Sequence, residues 1–164
     1  MYKRQGLDYE GKPFKSVTQG LADLSLTPLL EGQAKAAEAS EEVAAFITFV
    51  KSALGDAVSD VRASERLTDS AVCLVAPEHA MDRQLEKLLA GAGKLPAAAK
   101  PVLEINPNHA LIATLGRLGD GEPSLREDAA HLLLDEAKIA DGEAPPDAKA
   151  FSARLGRIMT RALT

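Results

Sequence analysis

Tryptophan is absent from this chain, and its aromatic side chains are limited to four phenylalanines and two tyrosines. Any core must therefore rest on Leu, Val, Ile and Ala. A single cysteine, Cys73, excludes an intramolecular disulfide framework and suits a reducing cytosol. No apolar run approaches the roughly 18 residues that a membrane-spanning helix needs. The opening Met1-Tyr2-Lys3-Arg4-Gln5-Gly6 lacks the apolar heart of a secretory signal, and the closing Ala162-Leu163-Thr164 is no lipidation signal. Dense basic clusters are missing too. With 24 acidic against 19 basic residues the net charge is −5, both signs interspersed, which argues against a nucleic-acid surface. The expectation is a soluble cytoplasmic chain with neither nucleic acid nor membrane as partner.

Catalytic signatures are equally scarce. His79, His109 and His131 sit on separate segments with no cysteine or carboxylate at metal-ligand spacing, so they read as surface or capping histidines and no metal is expected. Gly91-Ala92-Gly93-Lys94 hints at a phosphate loop, but Leu95 follows the lysine and Leu88 stands where the first glycine is required. No nucleophile elbow and no dinucleotide fingerprint occur. Cys73 lies in the apolar run Ala71-Val72-Cys73-Leu74-Val75-Ala76 and reads as an inert buried thiol, because burial disfavours the reactive thiolate. A small thiol-dependent enzyme built on Cys73 is the alternative from another class.

What is present is a regular alternation of elements in 164 residues that are 46% apolar, enough for one sizeable core or a small domain with an appendage. Glycines and prolines interrupt residues 1–33, leaving room for a short extended piece at Phe14 and Val17. Over 34–54, Val43, Phe46, Ile47, Val50 and Leu54 recur at helical spacing, Ser40 suits the start of the amphipathic part, and Gly55 supplies the stop. Strands fit residues 57–63, 71–76 and 101–105, the second being continuous enough to be covered on both faces. Ser64 to Ser70 is a polar connection between the first two. Pro77 opens a helical segment with Met81, Leu85, Leu88, Leu89 and Ala92. Asn106 and Pro107 read as N-cap and first residue of another helix, leading into Leu111, Ile112, Leu115 and Leu118. The fold class is thus α+β, a small three-stranded sheet packed with helices.

The chain closes in a helix pair. Ser124-Leu125-Arg126-Glu127 has the form of a capping box for a helix over 124–140. Leu125, Ala129, Leu132, Leu133, Ile139 and Ala140 form one stripe, while Ala130, Leu134 and Ala137 fall on another side. Glu136 interrupts the first stripe and needs solvent or a partner such as Arg154 or Arg157. After the break at 141–146, Asp147 is placed to cap a helix over 148–163 that carries Phe151, Leu155, Ile158, Met159 and Ala162 on one face. A hairpin apolar in two directions can cover one face on its own domain. The second face fits the same hairpin from another copy, closing an intersubunit four-helix bundle about a two-fold axis. Packing wholly on its own domain is the alternative.

Several strings occur here in a telling order: Gly11-Lys12-Pro13-Phe14-Lys15-Ser16-Val17, Asp60-Val61-Arg62, Arg66-Leu67-Thr68-Asp69-Ser70, Leu103-Glu104-Ile105-Asn106-Pro107 and Leu132-Leu133-Leu134-Asp135. Together they resemble the C-terminal domain of the 90-kDa heat-shock chaperones, in the bacterial branch known as high-temperature protein G. The resemblance implies that residues 1–33 are the tail of a preceding middle domain and 34–164 a homodimerisation domain. It implies a dimer interface drawn from Leu132, Leu133, Ile139, Phe151, Leu155, Ile158, Met159 and Ala162. Unfolded or partly folded client proteins would meet Met81, Leu85, Leu88 and Leu89, where flexible aliphatic side chains repack against varied partners. It further implies that this stretch is not itself an enzyme and holds no cofactor, the ATP and Mg of the family belonging to an N-terminal domain outside it. Ala71 and Ala110 stand where the family often has proline, and the acidic tail that binds helical-repeat co-chaperones in eukaryotic members is not expected. A pure dimerisation anchor without client contact is the remaining alternative.

Overall fold

A computed structural model describes residues 8–9, 12–13, 40–77, 83, 85, 88, 89, 92 and 99–164. The chain divides into two compact units, Met1–Pro28 with Ala76–Ala99, and Leu29–Val75 with Lys100–Thr164. In the first unit, β1 (Asp8–Tyr9) and β2 (Lys12–Pro13) pair antiparallel, with Asp8 opposite Pro13 and Tyr9 opposite Lys12. The short extended piece expected at Phe14 and Val17, like residues 34–39 of the first predicted helix, lies outside the described residues.

The second unit begins with α1 (Glu41–Leu54). Ser40 caps it, its Oγ accepting a hydrogen bond from the Val43 N–H at 3.4 Å, and Glu41 and Glu42 set negative charge at the positive end of the helix dipole. Gly55 at φ +46° turns the chain out, a left-handed conformation that favours glycine. Val43, Phe46, Val50 and Leu54 are all buried, as their spacing predicts.

The sheet has strand order β3-β5-β4, with β3 (Asp60–Ala63), β4 (Val72–Val75) and β5 (Val102–Ile105). β5 runs parallel to β3, with Asp60 opposite Val102, and antiparallel to β4, with Val72 opposite Ile105. The α+β class and the three-stranded sheet are as the sequence predicts. The two-sided burial is not where it was expected. All four residues of the central β5 are buried, whereas Cys73 and Leu74 of β4 are only half-buried, because among the described residues β4 pairs with one strand and flanks the sheet.

Asn106 also departs from expectation. Its side chain is buried, donating to the carbonyls of Thr68 and Ser70 at 3.2 and 3.1 Å and accepting from the Asn108 N–H at 3.0 Å. It therefore closes the loop after β5 against the loop before β4, and His109 takes over as N-cap, its Nδ1 accepting from the Leu111 N–H at 3.2 Å. The helix that follows is α2 (Ala110–Arg117). Ile112 and Leu115 face the core while Leu111 is exposed. Gly116 lets α2 lie against α1, since a Cβ there would stand 3.2 Å from the backbone carbon and oxygen of Glu42.

The terminal helices are α3 (Pro123–Ala140) and α4 (Ala148–Leu163). The capping box at Ser124 does not form. Pro123 occupies the first turn, the N-cap is Glu122 without a side-chain cap, and the Glu122 carboxylate pairs with Arg161 instead. α3 buries Ala129, Ala130, Leu133, Leu134 and Ala137 against α1 and the sheet, in one core with Phe46, Leu103, Ile105 and Ile112. Arg126 shares this face, its guanidinium 4.3 Å from the centre of the Phe49 ring. Glu136 is exposed, and the arginines suggested for it pair with other carboxylates.

Candidate functional site

Two places gather unusual side chains. The first is the outer side of the terminal helices. α4 is properly started, with Asp147 Oδ1 accepting from the Ala150 N–H at 2.9 Å, yet it contains no buried residue. Of its apolar stripe, only Ile158 packs on the core, and it does so partly. Leu155, Met159 and Leu163 are 39%, 55% and 84% exposed, and Ile139 at the end of α3 is 48% exposed. Leu132 and Phe151 are half-buried and Ala162 is exposed. Leu133, named with them from the sequence, points the other way. It is 3% exposed and belongs to the chain's own core, because it shares the inward side of α3 with Ala129, Ala130 and Ala137. Leu163, not named, extends the outward row four residues beyond Met159. The i, i+4, i+8 spacing from Leu155 was the available signal.

Carboxylates on the α3 side and arginines of α4 meet between the helices. Arg157 donates through Nε and Nη2 to both oxygens of Asp128, at 2.7 and 2.6 Å. Arg161 pairs with Glu122, and Arg154 lies 3.9 Å from Asp128 and 4.0 Å from Asp135. Hydrogen bonding to Arg157 holds the Asp128 carboxyl below its ordinary range. Burial pushes Asp135 up, against the pull of Arg154, Lys138 and His131. Burial and the nearby Arg154 charge lower His131.

The second gathering surrounds Glu104 on the central strand, a buried charge that no sequence motif announced. Arg62 donates to its Oε1 through Nη2 at 2.8 Å and Nε at 3.2 Å. Its Oε2 accepts from Arg66 Nε at 2.9 Å and from Ser64 Oγ at 3.1 Å. Ser64 Oγ in turn accepts from the N–H groups of Arg66 and Leu67, so the network pins the loop after β3. Burial would raise the Glu104 carboxyl, but the two guanidiniums outweigh it and the net shift is downward. Cys73 Sγ lies 3.8 Å from Glu104 Oε2 and from Arg66 Nη2. Burial, then the Glu104 charge, push its thiol up, which keeps it protonated and a poor nucleophile.

The stretch named for client contact lies in the first unit. Leu85 and Leu88 are helical and exposed, at 43% and 70%, and Leu89 is half-buried. Met81 lies outside the described residues. Among the described residues no group of three His, Cys, Asp or Glu side chains could hold a metal ion, and no helix is long and apolar enough to cross a membrane.

The chain thus combines an α+β fold with a buried central strand, a last helix whose apolar row is exposed, and the ordered strings that resemble a chaperone family. The sequence profile of the Hsp90 protein family matches residues 3–164. The chaperone protein HtpG of Azorhizobium caulinodans is 61% identical over 160 residues, which cover 96% of this chain and 25% of that protein. Its counterpart in Mesorhizobium japonicum is 59% identical over 157 residues, 95% of this chain and 25% of that protein. HtpG of Nitrobacter hamburgensis is 56% identical over 156 residues, with 94% and 24% covered. The chain belongs to the Hsp90 protein family, and it spans about a quarter of the length of these curated relatives.

Proposed function

We propose that this chain is the self-association module of an Hsp90-family chaperone acting on unfolded proteins in the cytoplasm, and that its partner is a second copy of itself. Residues 34–164 form that module in this reading, and residues 1–33 end a preceding domain. The observation that carries it is the apolar outer face of α4, made of Leu155, Met159 and Leu163 beside Ile139, on a helix whose own chain buries none of its residues. A row this apolar on a well-capped helix favours an intermolecular cover. The same hairpin related by a two-fold axis supplies an equal and opposite row, giving a four-helix bundle. A permanent interface of this kind buries on the order of 2,000 Å². Linking two chaperone arms raises the effective concentration of each for a shared client. The role is non-enzymatic and needs no cofactor in this chain.

Leu155→Asp puts a charge in the middle of the row. Light scattering coupled to gel filtration over a dilution series should give a dimer mass for the parent chain and a monomer mass for the variant. A parent that is monomeric throughout, or a variant that stays dimeric, would overturn the reading.

Client contact is the second part of the proposal, favoured by the exposure of Leu85 and Leu88, both helical in conformation. Leu88→Ser should weaken binding of a reduced, unfolded test protein and leave the melting temperature nearly unchanged. A large fall in melting temperature would show that Leu88 is core, and unaltered binding would leave the pure anchor reading.

A further inference from the structure

Ion pairs run along the seam between α4 and the segment that opens and carries α3. Arg154, Arg157 and Arg161 recur at i, i+3 and i+7 along one side of α4, and each meets a carboxylate of the antiparallel segment 122–135. The pairings follow the hairpin in order, Arg161 with Glu122, Arg157 with Asp128, and Arg154 between Asp128 and Asp135. At about 1.5 Å of rise per residue they extend over roughly 20 Å of α3. The apolar hold is slight by comparison, with Ile158 the one side chain of α4 packed on the core and that only partly.

We propose that this arginine ladder is the device that fixes the rotation of α4, turning Leu155, Met159 and Leu163 outward for a second copy, and that it makes self-association sensitive to ionic strength. The inference rests on the self-association reading and adds its regulation. A helix with no fully buried side chain can roll or peel, and isolated helices of this length are marginal in water. Forked contacts such as Arg157 on both oxygens of Asp128 resist rolling, because the guanidinium and carboxylate planes must stay aligned. Both copies must present the helix correctly, so the apparent dissociation constant rises as the inverse square of the competent fraction. Lowering that fraction to one-third in each copy weakens the dimer about ninefold. Arg157 and Arg161 are largely exposed, so their pairs are screened as salt is added. An interface held by apolar contact alone would be indifferent to salt or strengthened by it.

The test uses the whole 164-residue chain. Sedimentation equilibrium should show the dimer weakening about tenfold between low and roughly 0.5 M salt, as screening of the pairs requires. Arg157→Ala should weaken it about fivefold or more at low salt and remove much of the salt dependence, since the competent fraction is already lowered. Exchanging the charges of the outer pair, Glu122→Arg with Arg161→Glu, should restore what either substitution alone loses. In the monomeric Leu155→Asp chain, adding Asp128→Ala should speed amide hydrogen exchange over 148–163 and leave α1 protected. A parent chain that never dimerises would sink the self-association reading, and the exchange experiment would still judge the ladder. A dimer indifferent to salt and to Arg157→Ala would overturn the ladder and leave self-association standing.

Discussion

α1 and α4 are two answers to one sequence pattern. Both are amphipathic helices of similar length, 14 and 16 residues, and both start from a side-chain N-cap, Ser40 in one and Asp147 in the other. Every member of the α1 stripe but the half-buried Ile47 is sealed, whereas none of the α4 stripe is. The difference lies in what stands opposite. α1 faces the sheet, α2 and α3 at once, while α4 touches mainly α3 and meets it through arginines. Periodicity therefore establishes that a helix has an apolar face, and only the surrounding fold establishes whether its own chain covers it. α4 has the first property and not the second, and it is the helix that the self-association proposal pairs with a second copy.

The largest effect separates the two faces directly. Phe46 is wholly buried, so Phe46→Ala should lose about 3–5 kcal/mol through transfer and cavity terms. Leu155→Ala, in chains dilute enough to be monomeric, should change stability by no more than about 0.5 kcal/mol, as surface substitutions do. Urea unfolding of both variants measures this. Comparable losses would mean that α4 is core after all, and the contrast would break.

The two charge networks extend the contrast. Glu104 sits in the sheet with its side chain 3% exposed, whereas Arg157 and Arg161 of the ladder on α4 are 60% and 63% exposed. Glu104→Gln should lose about 1.5–3 kcal/mol at neutral pH, the range for hydrogen bonds to a charged group. The sign of the pH dependence follows from its lowered carboxyl. The folded chain binds this proton less readily than the unfolded chain, so the contribution is full above the ordinary glutamate range and is lost as pH falls through the folded value. Acid titration of unfolding should show a shallower slope in Glu104→Gln than in the parent. Moderate salt should leave the Glu104 contribution nearly unchanged, since a buried pair is little screened. Equal salt sensitivity in both networks would contradict this division.

Much of the architecture was legible because it depends on local pattern. The α1 stripe, its Ser40 cap and Gly55 stop, three short strands, and Asp147 at the start of α4 all follow from residue spacing. What escaped depended on contacts between distant segments. Nothing near Ser124 says that Glu122 will be drawn to Arg161, 39 residues on. Nothing near Asn106 says that its amide will be taken up by carbonyls in the 68–70 loop, which displaces the cap to His109. Nothing in Leu103-Glu104-Ile105 says that Glu104 will be buried, and only the sheet order brings Arg62, Ser64 and Arg66 around it. Leu133 and its neighbour Leu132 are adjacent in the chain, yet Leu133 is sealed and Leu132 is half-open. That split follows from how α3 is rotated on the sheet, which no stripe along one helix specifies.

The finest version of the comparison uses the caps, where the two helices share the same chemistry. Ser40→Ala and Asp147→Ala each remove a hydrogen bond to an early backbone N–H, a local loss of about 1 kcal/mol or less. Through Ser40 the loss passes to the whole domain, because α1 cannot fray without opening the core around Phe46. The urea midpoint should fall accordingly. Through Asp147 it should stay local, since α4 opens as a unit of low stability in the monomer. Hydrogen exchange over 148–163 should quicken while the urea midpoint holds, and self-association should weaken. If Asp147→Ala instead lowered the midpoint as far as Ser40→Ala, α4 would unfold together with the core. Its open apolar row would then be an ordinary surface of a single cooperative domain, with no second copy required to cover it.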